Sequence, residues 1–532
     1  MKIRNYLFTL LALLAANGQV QSDTVGKAAS EAYPTELSPV TPWDQGKPII
    51  NGPSVYGASP GKDFRYLIPT CGERPVRFAA DKLPTGLELD TERGIITGQA
   101  VNKGEYKVTL TAQNKLGITS KTMTIIIADN AMALTPPLGW NSWNCFRRDI
   151  SDVKIRTIAQ GMVSSGLAAR GYSYVNMDSN WQSKKRGGKY NAIIPNEKFP
   201  DMKSLCDYIH GMGLKAGIYS GPYVQPCGTA GCGETAGLRD TNFGDVPTKI
   251  ILEHYKYPEN QKYADPNVGK YIGLIKYERE DVKQLAEWGF DYLKYDFLNM
   301  PGDMVLLDRM QKELRQSSRD IVFSSLCTPR RPEYARLANC WRASEDSFPT
   351  WKYVYKDGFE RSTQEWNELI GPGCWIDLDM LDIKGGNNLT NNERIAYVSR
   401  WMIQPSPILI SFDPAAMDDF TARLICNEEL LAVNQDALGK PAVLLFKDET
   451  WQIYLKPLED NSYAMGFFNL SSTPQEFPAK FYNLLLYHGI TEKSYVRDLW
   501  AKKDLGKFSL DFRFGVASHC AKVFKFTNIQ HR

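Results

Sequence analysis

The segment DVKQLAEWGFDYLKYD, residues 281–296, contains the structural unit that decides the fold of this chain. Apolar residues recur at three- and four-residue spacing through its first part, which is typical of a helix with one buried face. The second part, FDYLKYD, is rich in aromatic and apolar residues and ends in a carboxylate at Asp296. The segment therefore predicts an amphipathic helix followed by a buried strand, which is the repeating unit of an α/β protein.

The same alternation of helix and strand extends on both sides of this segment. The other candidate strands are LGWNSW (138–143), YSYVNMD (172–178), LKAGIYS (214–220), IVFSSLC (321–327), NCWRASED (339–346), WIDLDML (375–381) and PILISFD (407–413). Eight strands interleaved with helices predict a (β/α)8 TIM barrel, which we assign to residues 130–436. An open doubly wound sheet is the alternative, but no strand is followed by a glycine fingerprint of the dinucleotide-binding kind.

Sequence rich in β-strand patterns flanks the predicted barrel on both sides. Residues 48–129 contain short alternating runs separated by glycines, which predict an immunoglobulin-like β-sandwich with a spacer or docking role. Residues 437–532 return to alternating runs and predict a C-terminal antiparallel β-sandwich. Residues 221–289 separate the third and fourth barrel strands, and much of this segment is rich in Gly, Pro and Tyr. We predict a long loop over the barrel mouth there.

The first residues predict export. Residues 1–22 place Lys2 and Arg4 ahead of a short apolar run, as in a signal peptide, and residues 23–47 are rich in Ser, Thr and Pro, as in a linker. We therefore expect a periplasmic or secreted protein without membrane insertion, since no later segment has 18 uninterrupted apolar residues. The net charge of +3 is close to neutral, which disfavours nucleic acid as a partner and favours a neutral substrate.

An exported chain with ten cysteines can form disulfide bonds. Cys227 and Cys232 are close enough to connect the ends of a short loop, and Cys327 and Cys340 are a second possible pair. Free buried thiols are the alternative for both. Zinc is a poor alternative because none of the five histidines stands at ligand spacing from a cysteine pair.

Carboxylates end many of the predicted barrel strands, although Asp is depleted in strands. They are Asp178, Asp296, Asp346, Asp379 and Asp413. The active site of a (β/α)8 barrel lies at the C-terminal ends of its strands, so these side chains should converge on one mouth. Carboxylates beside aromatic rings suit a sugar, and Trp143, Trp181 and Trp341 stand close to these strand ends. The alternative for any single Asp is a helix N-cap.

No other catalytic apparatus is evident in the sequence. We find no G-x-S-x-G elbow, no phosphate-binding loop and no H-E-x-x-H motif. Two carboxylates acting as nucleophile and acid/base are sufficient for glycoside hydrolysis, without a metal or organic cofactor. An oligosaccharide or polysaccharide is therefore the expected substrate.

A set of segments in fixed order adds a specific signal. They are TPPLGWNSWNCF, YSYVNMDSNW, GLKAGIYS, WGFDYLKYD, WRASED, GPGCWIDLDML and VNQDALGK. In this order and at these spacings, the chain from about Ala133 onward resembles glycoside hydrolase family 27. That family contains α-galactosidases, α-N-acetylgalactosaminidases and β-L-arabinopyranosidases. The resemblance implies a retaining exo-glycosidase that acts on terminal α-galactosyl-type residues.

The resemblance also implies roles for individual residues. Asp296 matches the family nucleophile, and Asp346 matches the acid/base. The residues that match substrate-binding positions are Trp143, Asp178, Tyr219, Lys294, Arg342 and Asp379. A non-catalytic carbohydrate-binding protein on the same scaffold is the alternative from another functional class, although mere binding would not require this catalytic set.

Two positions depart from the family pattern and affect specificity. Ser179 stands where the family has a second aspartate, which normally helps to recognise the O4 and O6 side of galactose. Thr328 stands near a position that is a small polar residue in α-N-acetylgalactosaminidases. We therefore regard β-L-arabinopyranoside and α-N-acetylgalactosaminide as alternative substrates to α-galactoside.

Overall fold

The computed structural model describes residues 32–221, 236–237, 275–298, 303–327, 332–360, 364–384, 388–478 and 481–528. The predicted signal peptide, Thr328, Cys227, Cys232 and most of the predicted long loop lie outside these residues. The chain divides into two compact units. One unit holds residues 39–388 and 401–441, and the other holds residues 389–400, residues 442–532 and the stretch before Pro39.

The first β-rich part of the larger unit is a small sandwich. Its strands are β1 (Ile49–Ile50), β2 (Val55–Ala58), β3 (Phe64–Leu67), β4 (Thr70–Cys71), β5 (Arg77–Asp81), β6 (Leu87–Asp90), β7 (Ile95–Gly98), β8 (Gly104–Asn114) and β9 (Gly117–Ile127). The order β2-β9-β8-β5 forms one sheet, β3-β7-β6 forms a second, and β1 pairs with β4. Val108, Leu110 and Ala112 alternate along β8 and share one core with Phe64 and Ile96. The predicted immunoglobulin-like sandwich is confirmed.

The second part of this unit is the barrel. Its strands are β10 (Leu138–Asn141), β11 (Tyr174–Met177), β12 (Gln182–Gly187), β13 (Ala192–Pro195), β14 (Lys215–Ser220), β15 (Ala236–Gly237), β16 (Ile275–Lys276), β17 (Tyr292–Leu298), β18 (Val322–Cys327), β19 (Cys340–Arg342), β20 (Trp375–Asp377) and β21 (Ile408–Ile410). Eight of them form one parallel sheet in the order β20-β19-β18-β17-β14-β11-β10-β21. A parallel bridge between Leu381 and Ile410 joins the two ends. The sheet therefore closes into the predicted (β/α)8 barrel.

Helices connect these strands. They are α1 (Trp143–Phe146), α2 (Asp152–Ser164), α3 (Met202–Gly211), α4 (Glu278–Trp288), α5 (Asp303–Gln316), α6 (Trp351–Tyr355), α7 (Asn391–Ile403), α8 (Asp419–Ile425) and α9 (Glu428–Asn434). Side-chain caps begin several of them, as when Asp201 accepts a hydrogen bond from the Ser204 N–H at the start of α3. Gly289 ends α4 at φ 104°, a left-handed conformation that glycine adopts without steric cost. The chain then enters β17, as the opening segment predicts.

The immunoglobulin-like sandwich packs against the N-terminal ends of the barrel strands. Asp291, just before β17, accepts hydrogen bonds from Arg319 Nη2 at 2.6 Å and from the Ala216 N–H at 2.9 Å, and lies 2.8 Å from His210 Nε2. Arg319 Nη1 also reaches Asp63 of the sandwich at 2.9 Å. Burial alone would raise the pKa of Asp291, but Arg319 and His210 outweigh it and hold that pKa well below its ordinary value. This charge cluster therefore ties the sandwich to the barrel floor.

Asp291→Ala is expected to lower the free energy of unfolding of the barrel by about 3 kcal/mol, because Arg319 and His210 would lose their shared buried partner and Arg319 would keep only the half-exposed Asp63. The stabilisation is present above a pH of about 4 and is lost as the pH falls through the depressed pKa. Urea unfolding followed by tryptophan fluorescence at pH 7 measures the loss. Asp308→Ala, which removes the partly exposed pair with Lys312, is the control and should cost at most about 1 kcal/mol. Equal losses in both variants would contradict the assignment.

The smaller unit contains a second, fully antiparallel β structure. Its strands are β22 (Val443–Lys447), β23 (Trp451–Pro457), β24 (Tyr463–Asn469), β25 (Gln475–Glu476), β26 (Ser494–Asp498), β27 (Lys503–Lys507), β28 (Gly515–Val516) and β29 (Cys520–Asn528), with helix α10 (Tyr482–Tyr487). The main sheet has the order β22-β23-β24-β29-β26-β27, and β25 pairs with β28. Phe467, Phe477, Phe514 and Phe524 pack against one another between these strands. The predicted C-terminal antiparallel domain is confirmed.

Of the two alternatives for the possible pair Cys327 and Cys340, the free thiol holds for Cys340, which is a free, buried cysteine. Cys340 lies opposite Ser324 in the register of β18 and β19. Cys327 is three residues further along β18, about 10 Å away, whereas a disulfide needs Cα atoms within about 7 Å. Among the residues with described side chains, the cysteines are free. Within the described ranges, no helix has the length and apolarity to cross a membrane.

Candidate active site

The C-terminal ends of the barrel strands bring the predicted catalytic residues to one rim. Tyr219 of β14 lies opposite Lys294 of β17, and Arg342 of β19 lies opposite Asp377 of β20. Asp296 follows Lys294 on the same strand and faces the same side, because side chains alternate along a strand. Neighbouring parallel strands thus place two cations and several carboxylates at the same rim of the barrel, as expected for a barrel active site.

Lys294 links carboxylates on two strands. Its Nζ donates to Asp178 Oδ2 at 2.7 Å and lies 5.6 Å from the centre of the Tyr219 ring. Burial lowers the pKa of Lys294, but the charges of Asp178, Asp296 and Asp379 outweigh it and raise that pKa above its ordinary value. Lys294 is therefore a fixed cation between Asp178, which follows β11, and Asp296 of β17.

The position of Asp178 is fixed by backbone hydrogen bonds. The Asp178 N–H donates to Ser142 Oγ at 2.8 Å, and the Ser179 N–H donates to Asp178 Oδ1 at 2.9 Å. Asp178 is 2 % exposed, and its other oxygen faces Lys294. Ser142 lies in LGWNSW, the first predicted strand of the barrel, and the sequence does not single it out, since a serine near a strand end carries no distinctive signal.

Arg342 is the second cation of the site. Its Nη2 lies 3.0 Å from Asp379 Oδ2 and 3.2 Å from Asp346 Oδ1, and its Nε donates to Ser344 Oγ at 3.3 Å. Burial lowers the pKa of Arg342, but surrounding carboxylates, Asp296 among them, outweigh it and raise that pKa. Arg342 therefore lies in the electrostatic field of both predicted catalytic residues.

Asp379 is held in an unusual conformation. Its φ of 79° is left-handed, which costs a residue with a Cβ of the order of 1–3 kcal/mol. The Asp379 N–H donates to Asp377 Oδ1 at 2.8 Å, and its carbonyl accepts from Trp401 Nε1 at 3.1 Å. Asp379 Oδ2 also accepts from the Ser347 N–H at 2.7 Å. These contacts explain how the surrounding residues hold the strained backbone in place.

The two predicted catalytic carboxylates differ in exposure. Asp296 is 7 % exposed, whereas the Asp346 side chain is 77 % exposed. Asp296 is among the charges that raise the pKa of both Lys294 and Arg342, so two cations lie within electrostatic range of the residue that matches the nucleophile. An exposed carboxyl group such as that of Asp346 can exchange protons with a leaving group and with water. The arrangement therefore suits a division into nucleophile and acid/base.

Other predicted residues lie outside this charge network. Trp143 is half-buried at the start of α1, with the Arg147 guanidinium 5.5 Å from its ring. Ser179 is fully buried, and within the described part of the chain its Oγ has no hydrogen-bond partner. Asp413 accepts from the Ala415 N–H at 2.9 Å and caps a short turn, so the N-cap alternative holds for this strand end.

The expectation that Trp181 and Trp341 offer faces to a sugar is wrong. Both are at most 1 % exposed. Trp181 Nε1 donates to the Tyr219 carbonyl at 2.8 Å, and the Trp341 ring packs 5.4 Å from that of Trp366. Large rings at strand ends are as suitable for a core as for stacking on a sugar, and both of these rings belong to the core.

Two further carboxyl groups near Arg342 were not predicted as site residues. Asp377 is buried, and burial raises its pKa to about 6 although Arg342 opposes that shift. Asp377 lies in the predicted strand WIDLDML two residues before Asp379, and this closeness in the sequence is the signal that could have found it. Asp357 is 2 % exposed and belongs to a helical stretch that carries no strand-end signal.

Family models match most of the chain. The model for α-galactosidase A matches residues 135–245 and 257–436. An Ig-domain model matches residues 47–128, and the model for the α-galactosidase C-terminal β-sandwich domain matches residues 448–526. These matches follow the three parts of the fold.

Individual proteins are similar over much of their length. The α-galactosidase of Cyamopsis tetragonoloba is 32 % identical over 408 residues, which cover 75 % of this chain and 88 % of that protein. The crystal structure of a Bacteroides fragilis protein has a TM-score of 0.76 at 30 % identity and covers 92 % of this chain and 99 % of that one. A family 27 β-L-arabinopyranosidase from Geobacillus stearothermophilus, solved with arabinose, has a TM-score of 0.61 at 24 % identity, covering 74 % of this chain and 97 % of that one.

Proposed function

This chain belongs to glycoside hydrolase family 27, the α-galactosidase A family, and from that premise we propose that it releases terminal α-galactosyl residues with retention of configuration. One observation carries the proposal. Asp296 and Asp346 both lie in the electrostatic field of the buried Arg342 at one rim of the barrel. A carbohydrate is the substrate that the family implies, and α-galactose is the sugar that we propose.

The proposed reaction is a double displacement. Asp296 attacks the anomeric carbon and forms an ester while the glycosidic C–O bond breaks, and Asp346 gives its proton to the departing oxygen. Asp346 then takes a proton from water, which attacks the same carbon and releases Asp296. Two inversions give net retention. Lys294 and Asp178 are proposed to bind ring hydroxyls from the opposite side of the site.

Three chromogenic glycosides test the proposal: an α-galactoside, an α-N-acetylgalactosaminide and a β-L-arabinopyranoside. We expect the wild-type chain to hydrolyse the α-galactoside with the highest kcat/KM. Proton NMR during turnover should show the α-anomer of galactose before mutarotation. First release of the β-anomer, or no hydrolysis of any of the three, would overturn the proposal.

The buried hydroxyl of Ser179 favours β-L-arabinopyranoside as a second candidate substrate. A hydroxyl in place of a carboxylate weakens recognition of the CH2OH side of galactose, and L-arabinopyranose lacks that group. Charge-assisted hydrogen bonds are stronger than neutral ones by roughly 1 kcal/mol or more. Ser179→Asp is therefore expected to raise the kcat/KM ratio of α-galactoside to β-L-arabinopyranoside by about tenfold. An unchanged ratio would show that Ser179 does not set this preference.

We also propose that the protein is exported, on the evidence of residues 1–22 alone. Cell fractionation of the native producer checks this. Activity in the periplasm or medium, with an N-terminus near residue 23, is the expected result. Full-length protein in the cytoplasm would contradict it.

A further inference from the structure

Asp377 is a buried carboxyl group whose position is set by the barrel sheet. It is the last residue of β20, lies opposite Arg342 of β19, and is 7 % exposed. Its carbonyl accepts a hydrogen bond from the Ala343 N–H at 2.9 Å, so its main chain is fixed to the neighbouring strand. Its Oδ1 accepts from the Asp379 N–H at 2.8 Å. Asp377 therefore links the sheet to the residues that follow β20.

Asp379 needs this hydrogen bond because its backbone is strained. A φ of 79° favours glycine, and a residue with a Cβ keeps it only where the surrounding structure holds it there. Two hydrogen bonds hold the main chain on either side of the Cα atom. The N–H donates to Asp377, and the carbonyl accepts from Trp401 Nε1 at 3.1 Å. The direction in which the Asp379 side chain leaves the backbone follows from these two contacts.

Asp379 Oδ2 receives two donors that flank Asp346. The Ser347 N–H, one residue after Asp346, donates to this oxygen at 2.7 Å. Arg342 Nη2 lies 3.0 Å from the same oxygen and 3.2 Å from Asp346 Oδ1. One oxygen thus fixes both the main chain after the exposed Asp346 and the cation that contacts its carboxylate. An acid/base must meet the glycosidic oxygen at hydrogen-bond distance, so proton transfer depends on where this oxygen lies.

We propose that Asp377 is a positioning residue for general acid/base catalysis, because it holds Asp379 in the conformation that fixes Asp346. The proposal rests on the proposed function, since it assumes that Asp346 protonates the leaving group. Asp377 acts through Asp379 and not on the reacting atoms. Its loss should therefore affect substrates that need a proton on departure more than substrates that depart without one.

Two replacements separate the hydrogen bond of Asp377 from its charge. Asp377→Ala removes the acceptor, so the Asp379 main chain loses one of the two contacts that hold it. Asp377→Asn keeps an acceptor oxygen at the same position and removes the charge. Burial raises the pKa of Asp377 to about 6, which means that the folded protein favours the neutral group more than water does. The Asn variant should therefore fold and keep Asp379 in place.

The test compares two α-galactosides with different leaving groups. Methyl α-galactoside needs a proton on its leaving oxygen, whereas 2,4-dinitrophenyl α-galactoside departs without one. For Asp377→Ala at pH 7 we expect kcat/KM on the methyl glycoside to fall by about tenfold, a fraction of the full contribution of general acid catalysis. On the dinitrophenyl glycoside it should change by less than about twofold. Because both substrates carry the same sugar, weaker binding of galactose would instead lower both values equally.

Asp377→Asn should restore kcat/KM on the methyl glycoside to within about twofold of the wild-type value, because the acceptor is present again. Asp498→Ala is the matched control. Asp498 also ends a strand, β26, is also 7 % exposed, and also accepts the N–H of the residue two positions later, Trp500, at 3.0 Å. Since Asp498 belongs to the smaller unit, its loss should change kcat/KM on both glycosides by the same factor.

Equal losses on both glycosides in Asp377→Ala, or no loss on either, would overturn the positioning role. A loss in Asp377→Asn as large as that in Asp377→Ala would also overturn it, because charge and not the hydrogen bond would then be responsible. If Asp377→Ala does not fold, Trp401→Phe removes the other contact to the Asp379 main chain. It should lower kcat/KM more on the methyl glycoside, and equal changes on both would overturn the proposal. Failure of the proposed function is distinguishable, because the wild-type chain would then hydrolyse neither glycoside.

Discussion

Asp296→Ala is expected to lower kcat on an aryl α-galactoside by about 10⁴-fold or more. Without a carboxylate at this position no glycosyl ester can form. Removal of a catalytic nucleophile typically lowers the kcat of an enzyme by a factor of this order. Initial rates under saturating substrate measure the effect. Because Asp296 is buried beside cations, a melting curve should accompany the rates to show that the variant is folded.

Asp413→Ala is the matched control for this variant. Asp413 also ends a barrel strand, but its carboxylate caps a short turn. Loss of a cap costs about 1 kcal/mol of stability. The control should therefore melt slightly earlier and keep its kcat. Comparable activity losses in both variants would mean that strand-end carboxylates serve the fold in general and that Asp296 has no special role.

Asp346→Ala is expected to show a loss that depends on the leaving group. For methyl α-galactoside kcat/KM should fall by about 10²–10⁴-fold, which is the usual contribution of general acid catalysis. For 2,4-dinitrophenyl α-galactoside the first step should be nearly unaffected, and the glycosyl ester should accumulate because no base activates water. Rapid-mixing measurements should then show a burst of dinitrophenol.

Azide provides the control for Asp346→Ala. It is an anionic nucleophile that needs no deprotonation, so it should restore steady-state turnover of the dinitrophenyl glycoside and give galactosyl azide. The same azide should leave wild-type turnover unchanged. A uniform loss on both glycosides, without a burst and without azide rescue, would contradict the acid/base role.

The barrel could be predicted from sequence because its strands are short, buried and ended by polar residues in a regular order. FDYLKYD is the clearest case, since Gly289 ends the preceding helix and Asp296 lies near the C-terminal end of the strand. The alternating runs of the flanking domains were equally informative because period two fixes which residues enter the core. The attachment of the first sandwich through Asp63 and Arg319 was not predictable, since 256 residues separate these partners.

The candidate site was only partly predictable for a similar reason. Residues on strands, such as Lys294 and Arg342, have positions that follow from the register. The left-handed backbone of Asp379 and the π-helical turn around Asp357 depend on tertiary contacts that no local pattern reveals. The role of the tryptophans was ambiguous, because a tryptophan near a strand end, such as Trp181 or Trp341, is compatible with a hydrophobic core as well as with a sugar-binding site. Thr328 lies outside the described residues, so its predicted role stays a prediction.

The most direct test of the central claim is to trap the covalent intermediate. A fluorinated α-galactosyl fluoride that forms the glycosyl ester quickly and loses it slowly should add one sugar per chain, detected by mass spectrometry of the intact protein. Peptide mapping should then locate the sugar on Asp296, within YLKYD. An adduct on another carboxylate, or turnover without any adduct, would contradict the assignment of Asp296 as the nucleophile of a retaining hydrolase.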